Sequence, residues 1–238
     1  MKTRIAGLAF LSIIAALGTA CLTVEREQWV CRESTCAMTG GEVKNNTDSF
    51  YRGVKVTATY YDETGGTFSA AAQTCTDIIN PHDSSPFEMT TIGQVPDTFK
   101  TTGYQLAFEG EPATDVLPNY LTVSDIAFKQ RWVEIRMEAT IQNSGAVIYD
   151  YPTVCTAFYR DGVLVHLETS VFMPTTLQPG ESTRYALTTY VGWPERSDWP
   201  DSATEVRLWV KGVQRDAYGW VMPVSTGLIP IPDFFSPP

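Results

Sequence analysis

Residues 132–142 read Trp-Val-Glu-Ile-Arg-Met-Glu-Ala-Thr-Ile-Gln, and every second side chain from Val133 to Ile141 is apolar. Successive side chains of a β-strand point to opposite faces, so this period of two predicts a strand with one face in a core. The same alternation recurs at 54–60, 104–108 and 205–211. Because no run after residue 21 has the apolar spacing of a helix, the sequence predicts an all-β protein.

The stretch at 139–145 has a counterpart 98 residues earlier, at 41–47. An offset that persists along the chain predicts two copies of one structural unit. The matching pairs at this offset are Val43 and Ile141, Tyr51 and Tyr149, Val56 and Val154, Tyr60 and Phe158, Tyr61 and Tyr159, Pro81 and Pro179, Ser84 and Ser182, and Phe87 and Tyr185.

Glycine and proline separate the alternating runs, as at 63–66 and 178–181, and these residue types favour tight turns. Short strands between turns, in units of about 100 residues, are typical of immunoglobulin-like sandwiches. We therefore expect two tandem antiparallel β-sandwiches of this type. The first would cover residues 37–112 and the second residues 120–213.

Three stretches of the first unit carry a family resemblance: Gly-Glu-Val-Lys-Asn-Asn-Thr at 41–47, the strand that ends in Tyr-Tyr-Asp at 60–62, and the turn region 81–87. Together they resemble an FxLYD domain, a small immunoglobulin-like module of exported prokaryotic proteins. The second unit resembles this family more loosely, since Arg160 stands where the family has Asp. The resemblance implies a fold and an exported location, and it implies no reaction.

The N-terminus has the three parts of a secretory signal. Lys2 and Arg4 precede an apolar run that ends at Leu17, and small residues then lead to Cys21. Such a run is too short for a convincing membrane-spanning helix. We therefore expect residues 1–20 to be a signal peptide that is cleaved after Ala20.

Residues 17–21 also resemble a bacterial lipobox, in which the final cysteine receives lipid. This reading predicts a lipid anchor on Cys21, a tether over residues 21–36, and a membrane lipoprotein that faces the periplasm or the cell exterior. Cleavage by ordinary signal peptidase, without lipid, is the alternative.

The charge balance narrows the range of partners. The chain has 17 basic and 27 acidic residues, and loss of residues 1–20 would change its net charge from −10 to −12. Such a surface repels phosphate backbones, so we expect no nucleic acid partner. It also offers no polybasic segment for anionic lipid, and membrane attachment would depend on the N-terminal lipid.

The cysteine count is odd, which needs an explanation in an exported protein. If Cys21 carries lipid, the four that remain can form disulfides in an oxidising compartment. Cys31 and Cys36 are the favoured pair because they are close in sequence. Cys75 and Cys155 would then pair across the two sandwiches or stay reduced.

Residues suited to catalysis are sparse. The chain contains two histidines, His82 and His166, and no His-Glu-x-x-His or Gly-x-Ser-x-Gly motif. Cys31 and Cys36 lack the second pair that a tetrahedral zinc site would need. We therefore expect no enzyme activity, no cofactor and no metal ion. A carboxylate-dependent hydrolase is a minor alternative, since the separation of carboxylates cannot be read from sequence.

Aromatic residues are the stronger candidates for recognition. Trp193, Trp199 and Trp220 lie in the last fifty residues and could stack on sugar rings or anchor a partner. Trp209 lies on the face of its strand opposite Val206 and Val210, which places it outside the main core. The C-terminal segment 214–238 is rich in proline and is expected to form a tail.

These observations favour a non-catalytic binding or scaffolding module of the cell envelope. Its partner would be an envelope protein or a glycan. The alternative function is that of a carbohydrate-binding surface protein which uses the exposed tryptophans.

Overall fold

The computed structural model of the protein describes residues 21–32, 35–89, 95–96, 98–131, 134–171, 175–190 and 203–232. These residues form β-strands joined by turns, and they contain no helix. A helix that could cross a membrane is accordingly not found in this part of the chain. The all-β prediction is confirmed.

The first sandwich has two antiparallel sheets. One sheet has the strand order β1-β2-β6, and the other places β3 between β4 and β7, with the short β5 also paired to β3. The strands are β1 (Leu22–Arg32), β2 (Thr35–Asn45), β3 (Phe50–Asp62), β4 (Thr67–Gln73), β5 (Ile78–Ile79), β6 (Ser84–Glu88) and β7 (Thr101–Ala113).

The second sandwich repeats this plan and extends it. One sheet has the order β14-β10-β9, and the other has the order β12-β11-β15-β17, with β13 paired to β11 and β18 paired to β15. Its strands are β9 (Leu121–Arg131), β10 (Glu134–Asn143), β11 (Tyr149–Arg160), β12 (Val163–Val171), β13 (Thr176–Leu177), β14 (Ser182–Tyr190), β15 (Glu205–Gln214), β17 (Val224–Ser225) and β18 (Ile229–Pro230). Between the sandwiches, β8 (Val116–Leu117) pairs in parallel with β16 (Trp220–Val221).

The predicted repeat is visible in the strand order. The sheet β1-β2-β6 corresponds to β9-β10-β14, and β4-β3-β7 corresponds to β12-β11-β15. Each sandwich has its own buried core, in which Val56 and Tyr60 of the first occupy the places of Val154 and Phe158 of the second. The prediction of two tandem antiparallel sandwiches is therefore confirmed.

The expected tether over residues 21–36 is wrong, because its described residues, 21–32 and 35–36, begin the first sandwich. Leu22 pairs with Asn45 and is buried in the core, so β1 completes the sheet of β2. Alternation at Leu22 and Val24 is interrupted by charged residues at 25–27, where the pairing with β2 shifts register. This irregular bulge conceals the strand from a search for strict period two.

The expected tail over 214–238 is also wrong for residues up to 232. β17 and β18 pair with β15, and Ile231 contributes to the second core. Pro230 is compatible with this role because β18 lies at the margin of the sheet, where proline is tolerated. Residues 233–238 lie outside the described residues.

The sheet of β11, β12 and β15 has a second buried face, which packs against the first sandwich. Cys155, Ala157, Tyr159, Leu164 and Trp209 form an apolar cluster there. The Trp209 indole N–H donates a hydrogen bond of 2.9 Å to the Ser84 carbonyl oxygen of β6. The placement of Trp209 outside the main core is confirmed, since this ring is fully buried between the sandwiches.

A buried carboxylate, Glu42 on β2, joins the two sandwiches. Its oxygens accept hydrogen bonds from the Tyr159 and Ser84 hydroxyls. Arg26 Nε lies 3.4 Å from one oxygen and an Arg207 nitrogen lies 3.5 Å from the other. The pKa of Tyr159 is raised mainly by burial and also by the charge of Glu42. The Tyr159 hydroxyl therefore stays protonated and donates its hydrogen bond to Glu42. These partners offset the cost of burying the carboxylate.

Two disulfides are present. One joins Cys31 to Cys36 beside the turn between β1 and β2, and the other joins Cys75 of the first sandwich to Cys155 of the second. The second bond closes a sequence separation of 80 residues and therefore fixes one sandwich against the other. Cys21 is exposed and is not joined to another cysteine.

Candidate binding groove

A groove of about 420 Å³ opens where the two sandwiches meet the segment that links them. We call it the Trp220 groove. Its walls come from both sandwiches and from the linking segment, so its shape depends on how the sandwiches pack. The lining side chains that concern binding are those of Asp77, Asp115, Tyr151, Lys211, Val213 and Trp220.

Trp220 is held in place by the short parallel pair of β8 and β16. Its backbone N–H donates a hydrogen bond of 3.0 Å to the Asp115 carbonyl oxygen. The approach is so close that a Cβ atom at Gly219 would lie 2.6 Å from the same oxygen, and Gly219 also has a φ of +150°. Glycine is therefore required at this position for Trp220 to reach the groove.

Trp220 is 38% exposed and contacts the first sandwich through Arg52. The Arg52 guanidinium lies 5.8 Å from the centre of the ring, a cation–π contact that limits the orientations of the indole. The Trp220 side chain is thus oriented by Arg52 and still leaves part of its surface in solvent.

Tyr151 supplies a second aromatic surface and is 63% exposed. It lies at a bulge in β11, where the pairing with β15 shifts register, and its φ of +48° is in the left-handed region. A bulge re-aims the side chain, and the left-handed backbone is costly for a residue other than glycine. The Tyr151 N–H donates to the Thr175 carbonyl oxygen at 2.7 Å, which helps to hold this conformation.

Polar groups stand beside the two rings. The Lys211 ammonium of β15 lies 2.7 Å from a carboxylate oxygen of Asp77, an ion pair that crosses from one sandwich to the other. Asp115 is exposed and adds a second carboxylate from the linking segment. The groove therefore combines aromatic surface with hydrogen-bond acceptors and one cationic donor.

This combination suits a ligand that has an apolar face and polar edges. Aromatic rings bury apolar surface in a defined orientation, and a few convergent polar groups give specificity. Exposed rings with polar groups beside them are thus an arrangement suited to binding.

Of the three tryptophans singled out in the sequence, Trp220 lies in the groove, whereas Trp193 and Trp199 lie outside the described residues. The two histidines belong to different sandwiches, and neither lines the groove. His82 is in the turn before β6, 2.8 Å from an Asp48 carboxylate oxygen, and His166 is on β12, 3.6 Å from that of Glu168.

Five of these groove residues were not found from the sequence: Asp77, Asp115, Tyr151, Lys211 and Val213. They are scattered along the chain and meet only in the folded protein. Tyr151 nevertheless left a signal, because the repeat places it opposite Gly53, which has a φ of +60°. A large aromatic residue at a position where the other copy has a left-handed glycine is a departure that points to function.

Metal binding gains no support from the geometry. In the part of the chain that the structure describes, no three histidine, cysteine, aspartate or glutamate side chains are grouped as a metal site.

Comparisons with known proteins assign no family to the chain. No family model matches it, so the FxLYD resemblance stays a prediction, and no curated protein matches it either. Among solved structures, a proposed carbohydrate-binding protein from Bacteroides uniformis is 12% identical, with a TM-score of 0.35 and coverage of 85% of this chain and 95% of that one.

Two enzymes are also matched over part of their length. Red sea bream transglutaminase is 12% identical with a TM-score of 0.31, and the exo-chitosanase CsxA of Amycolatopsis orientalis is 10% identical with a TM-score of 0.29. They cover 89% and 88% of this chain, which spans only 32% and 26% of their own lengths. At these TM-scores, the matches assign no activity or ligand.

Proposed function

We propose that this protein is a non-catalytic binding module that holds a saccharide in the Trp220 groove. The observation that carries the proposal is the pair of exposed rings, Trp220 and Tyr151, beside the carboxylates of Asp77 and Asp115. Pyranose rings have C–H faces that pack on aromatic rings and hydroxyls that donate to carboxylates. A groove of about 420 Å³ is within the usual range for small-molecule sites.

The charge of the groove narrows the class of saccharide. Two carboxylates and one ammonium leave it with an excess of negative charge, on a chain whose net charge is −10. An acidic sugar would be repelled, whereas neutral and amino sugars would not. We therefore propose neutral or amino-sugar oligosaccharides as the ligands.

We further propose that the module acts at the cell envelope, exported by residues 1–20 and anchored through lipid on Cys21. The sequence pattern of the N-terminus supports this location, and the two disulfides suit an oxidising compartment. A module anchored in this way would hold saccharide near the membrane surface or present it to a neighbouring envelope protein.

The proposal is tested by isothermal titration of the purified protein with oligosaccharides of neutral, amino and acidic sugars. We expect binding to neutral or amino-sugar oligosaccharides, and Trp220→Ala should weaken it about tenfold to a hundredfold, the usual cost of losing a central aromatic contact. Tyr218→Ala is the matched control, since Tyr218 is fully exposed, two residues away, and does not line the groove.

Two outcomes would overturn the proposal: a lack of binding across the whole panel, and equal affinity of Trp220→Ala and the unmodified protein. Hydrolysis of the bound oligosaccharide by the purified protein would contradict the non-catalytic part alone.

A further inference from the structure

The two sandwiches differ at one sheet edge. In the second sandwich, β15 pairs with β11 on one side and with β17 and β18 on the other. In the first, the corresponding strand β7 pairs with β3, and no strand of the described residues pairs with its other side. Within the described ranges, the first sandwich therefore has no counterpart of the strands that close the second.

The inner side chains of β7 are more exposed than those of β15. Val206, Leu208 and Val210 of β15 are fully buried, and Ile229 and Ile231 of the covering segment pack on the same core. The pairing with the neighbouring strand places Tyr104, Leu106 and Phe108 of β7 at the corresponding positions. These three side chains are only partly buried and leave apolar surface in solvent.

The exposed edge also lacks the usual protection. Exposed edge strands carry unpaired backbone groups and are normally blunted by charge, proline or a bulge. From Gly103 to Phe108 the register with β3 is continuous, and the residues are uncharged and contain no proline. Glu109, Glu111 and Pro112 follow only at the end of the strand.

We propose that this edge pairs with the same edge of a second copy of the chain, antiparallel and with Leu106 opposite Leu106. An isologous contact requires a self-complementary surface, and the inward pattern of β7 is symmetric about Leu106: an aromatic ring, leucine, an aromatic ring. Tyr104 of each copy then lies opposite Phe108 of the other, a favourable cross-strand pair.

The outward side chains fit the same register. Gln105 of one copy lies opposite Ala107 of the other, and Glu109 lies opposite Gly103. Glu111 lies opposite Thr101, so no carboxylate of the strand faces another carboxylate. Since directly opposed like charges destabilise a strand pair, this arrangement lets two acidic chains associate along the edge.

We do not expect the opposite edge of the same sheet to pair with a second copy. Its strand, β4, corresponds to β12, which also stands at the end of its sheet. Among the described residues no strand pairs with the other side of β4 or of β12, so this edge does not distinguish the two sandwiches, and of the β4 inner-face side chains Phe68, Ala70 and Ala72 only Phe68 is large. β4 therefore provides the control for a test on β7.

The test is sedimentation equilibrium of the mature chain with Cys21→Ser, which removes both lipid and a free thiol as causes of association. We expect the chain to dimerise with a dissociation constant no higher than about 100 µM. The double variant Gln105→Lys with Ala107→Lys places lysine opposite lysine twice and should weaken dimerisation about tenfold or more. Gln105→Glu with Ala107→Glu should do the same, and a 1:1 mixture of the two variants should restore the dimer.

The mixture separates edge pairing from damage to the fold, because a misfolded variant would not be rescued by the opposite charge. Ser69→Lys with Ala71→Lys, at exposed positions of β4, should leave the dimer unchanged. A monomer at every concentration, a dimer that survives both like-charged variants, a mixture that fails to associate, or a dimer lost in the β4 variant would each overturn the proposal.

Discussion

Two buried asparagines illustrate how single residues define each sandwich. The Asn45 side-chain amide donates to the Ser49 and Ile79 carbonyls, and that of Asn143 donates to the carbonyls of Val147 and Leu177, each 98 positions later. In both cases the side-chain oxygen accepts a backbone N–H two residues further along. Each asparagine thus joins the end of one strand to a turn and to a short strand of the opposite sheet.

We predict that Asn45→Ala and Asn143→Ala each lower the free energy of unfolding by about 2–3 kcal/mol, because buried carbonyls and an N–H lose their partner. The loss at Asn45 should be at least as large as that at Asn143, since Asn45 also donates to the Asn80 carbonyl and accepts from the Thr47 hydroxyl. Urea unfolding measures them, with the exposed Asn46→Ala as the control, expected to change stability by less than about 1 kcal/mol. A neutral effect at either buried asparagine would contradict the equivalence of the two copies.

At the scale of strands, much of the fold follows from the sequence. Period two at 133–141 and the offset of 98 residues are visible in the sequence without any knowledge of tertiary contacts. They suffice to predict the sandwiches and their order. The strands that were missed depend on tertiary contacts. β1 breaks its alternation at Arg26, which has a φ of +54°, and β18 contains a proline that only an edge position allows.

The candidate groove was predictable only in part. Trp220 is a candidate from sequence because it is one of several tryptophans near the C-terminal end. Asp77, Asp115 and Lys211 have no feature in the sequence that distinguishes them from other charged surface residues. Their assembly requires the contact between sandwiches, which sequence periodicity does not encode. Tyr151 lies at a bulge, and a bulge departs from the alternation on which strand prediction rests.

The start of β1 bears on the proposed anchor. Leu22 is already buried in the first sandwich, so lipid on Cys21 would attach directly beside the fold, with no spacer. We predict that the protein is found in the membrane fraction and is labelled by fatty acid, and that Cys21→Ser moves it to the soluble fraction. Fractionation of the natural host measures this, and the Cys31→Ser, Cys36→Ser variant should stay with the membrane. A soluble unmodified protein would refute the anchor.

At the scale of the whole molecule, the relative position of the two sandwiches is fixed by three kinds of contact. Apolar side chains around Trp209 are buried between them, Glu42 of the first sandwich binds Tyr159 and Arg207 of the second, and Cys75 is bonded to Cys155. Because the Trp220 groove takes its walls from both sandwiches, this fixed arrangement is a condition for a preformed binding site.

We predict that Cys75→Ala with Cys155→Ala lowers the free energy of unfolding by about 4 kcal/mol, because a long loop of the unfolded chain is released. The control, Cys31→Ala with Cys36→Ala, opens a much shorter loop and should cost about 2 kcal/mol. Chemical unfolding under oxidising conditions measures both. A smaller loss for the Cys75 and Cys155 variant than for the control would contradict the view that this bond fixes the sandwiches together.

The most direct test of the proposed function is the NMR signal of the Trp220 indole N–H, identified by its loss in Trp220→Ala, during titration with neutral and amino-sugar oligosaccharides. If the groove binds saccharide, this signal should shift in proportion to occupancy, while the indole signal of the buried Trp209 stays in place. A saccharide that binds the protein without moving the Trp220 signal would show that recognition takes place elsewhere. The absence of any shift across the panel would contradict saccharide binding itself.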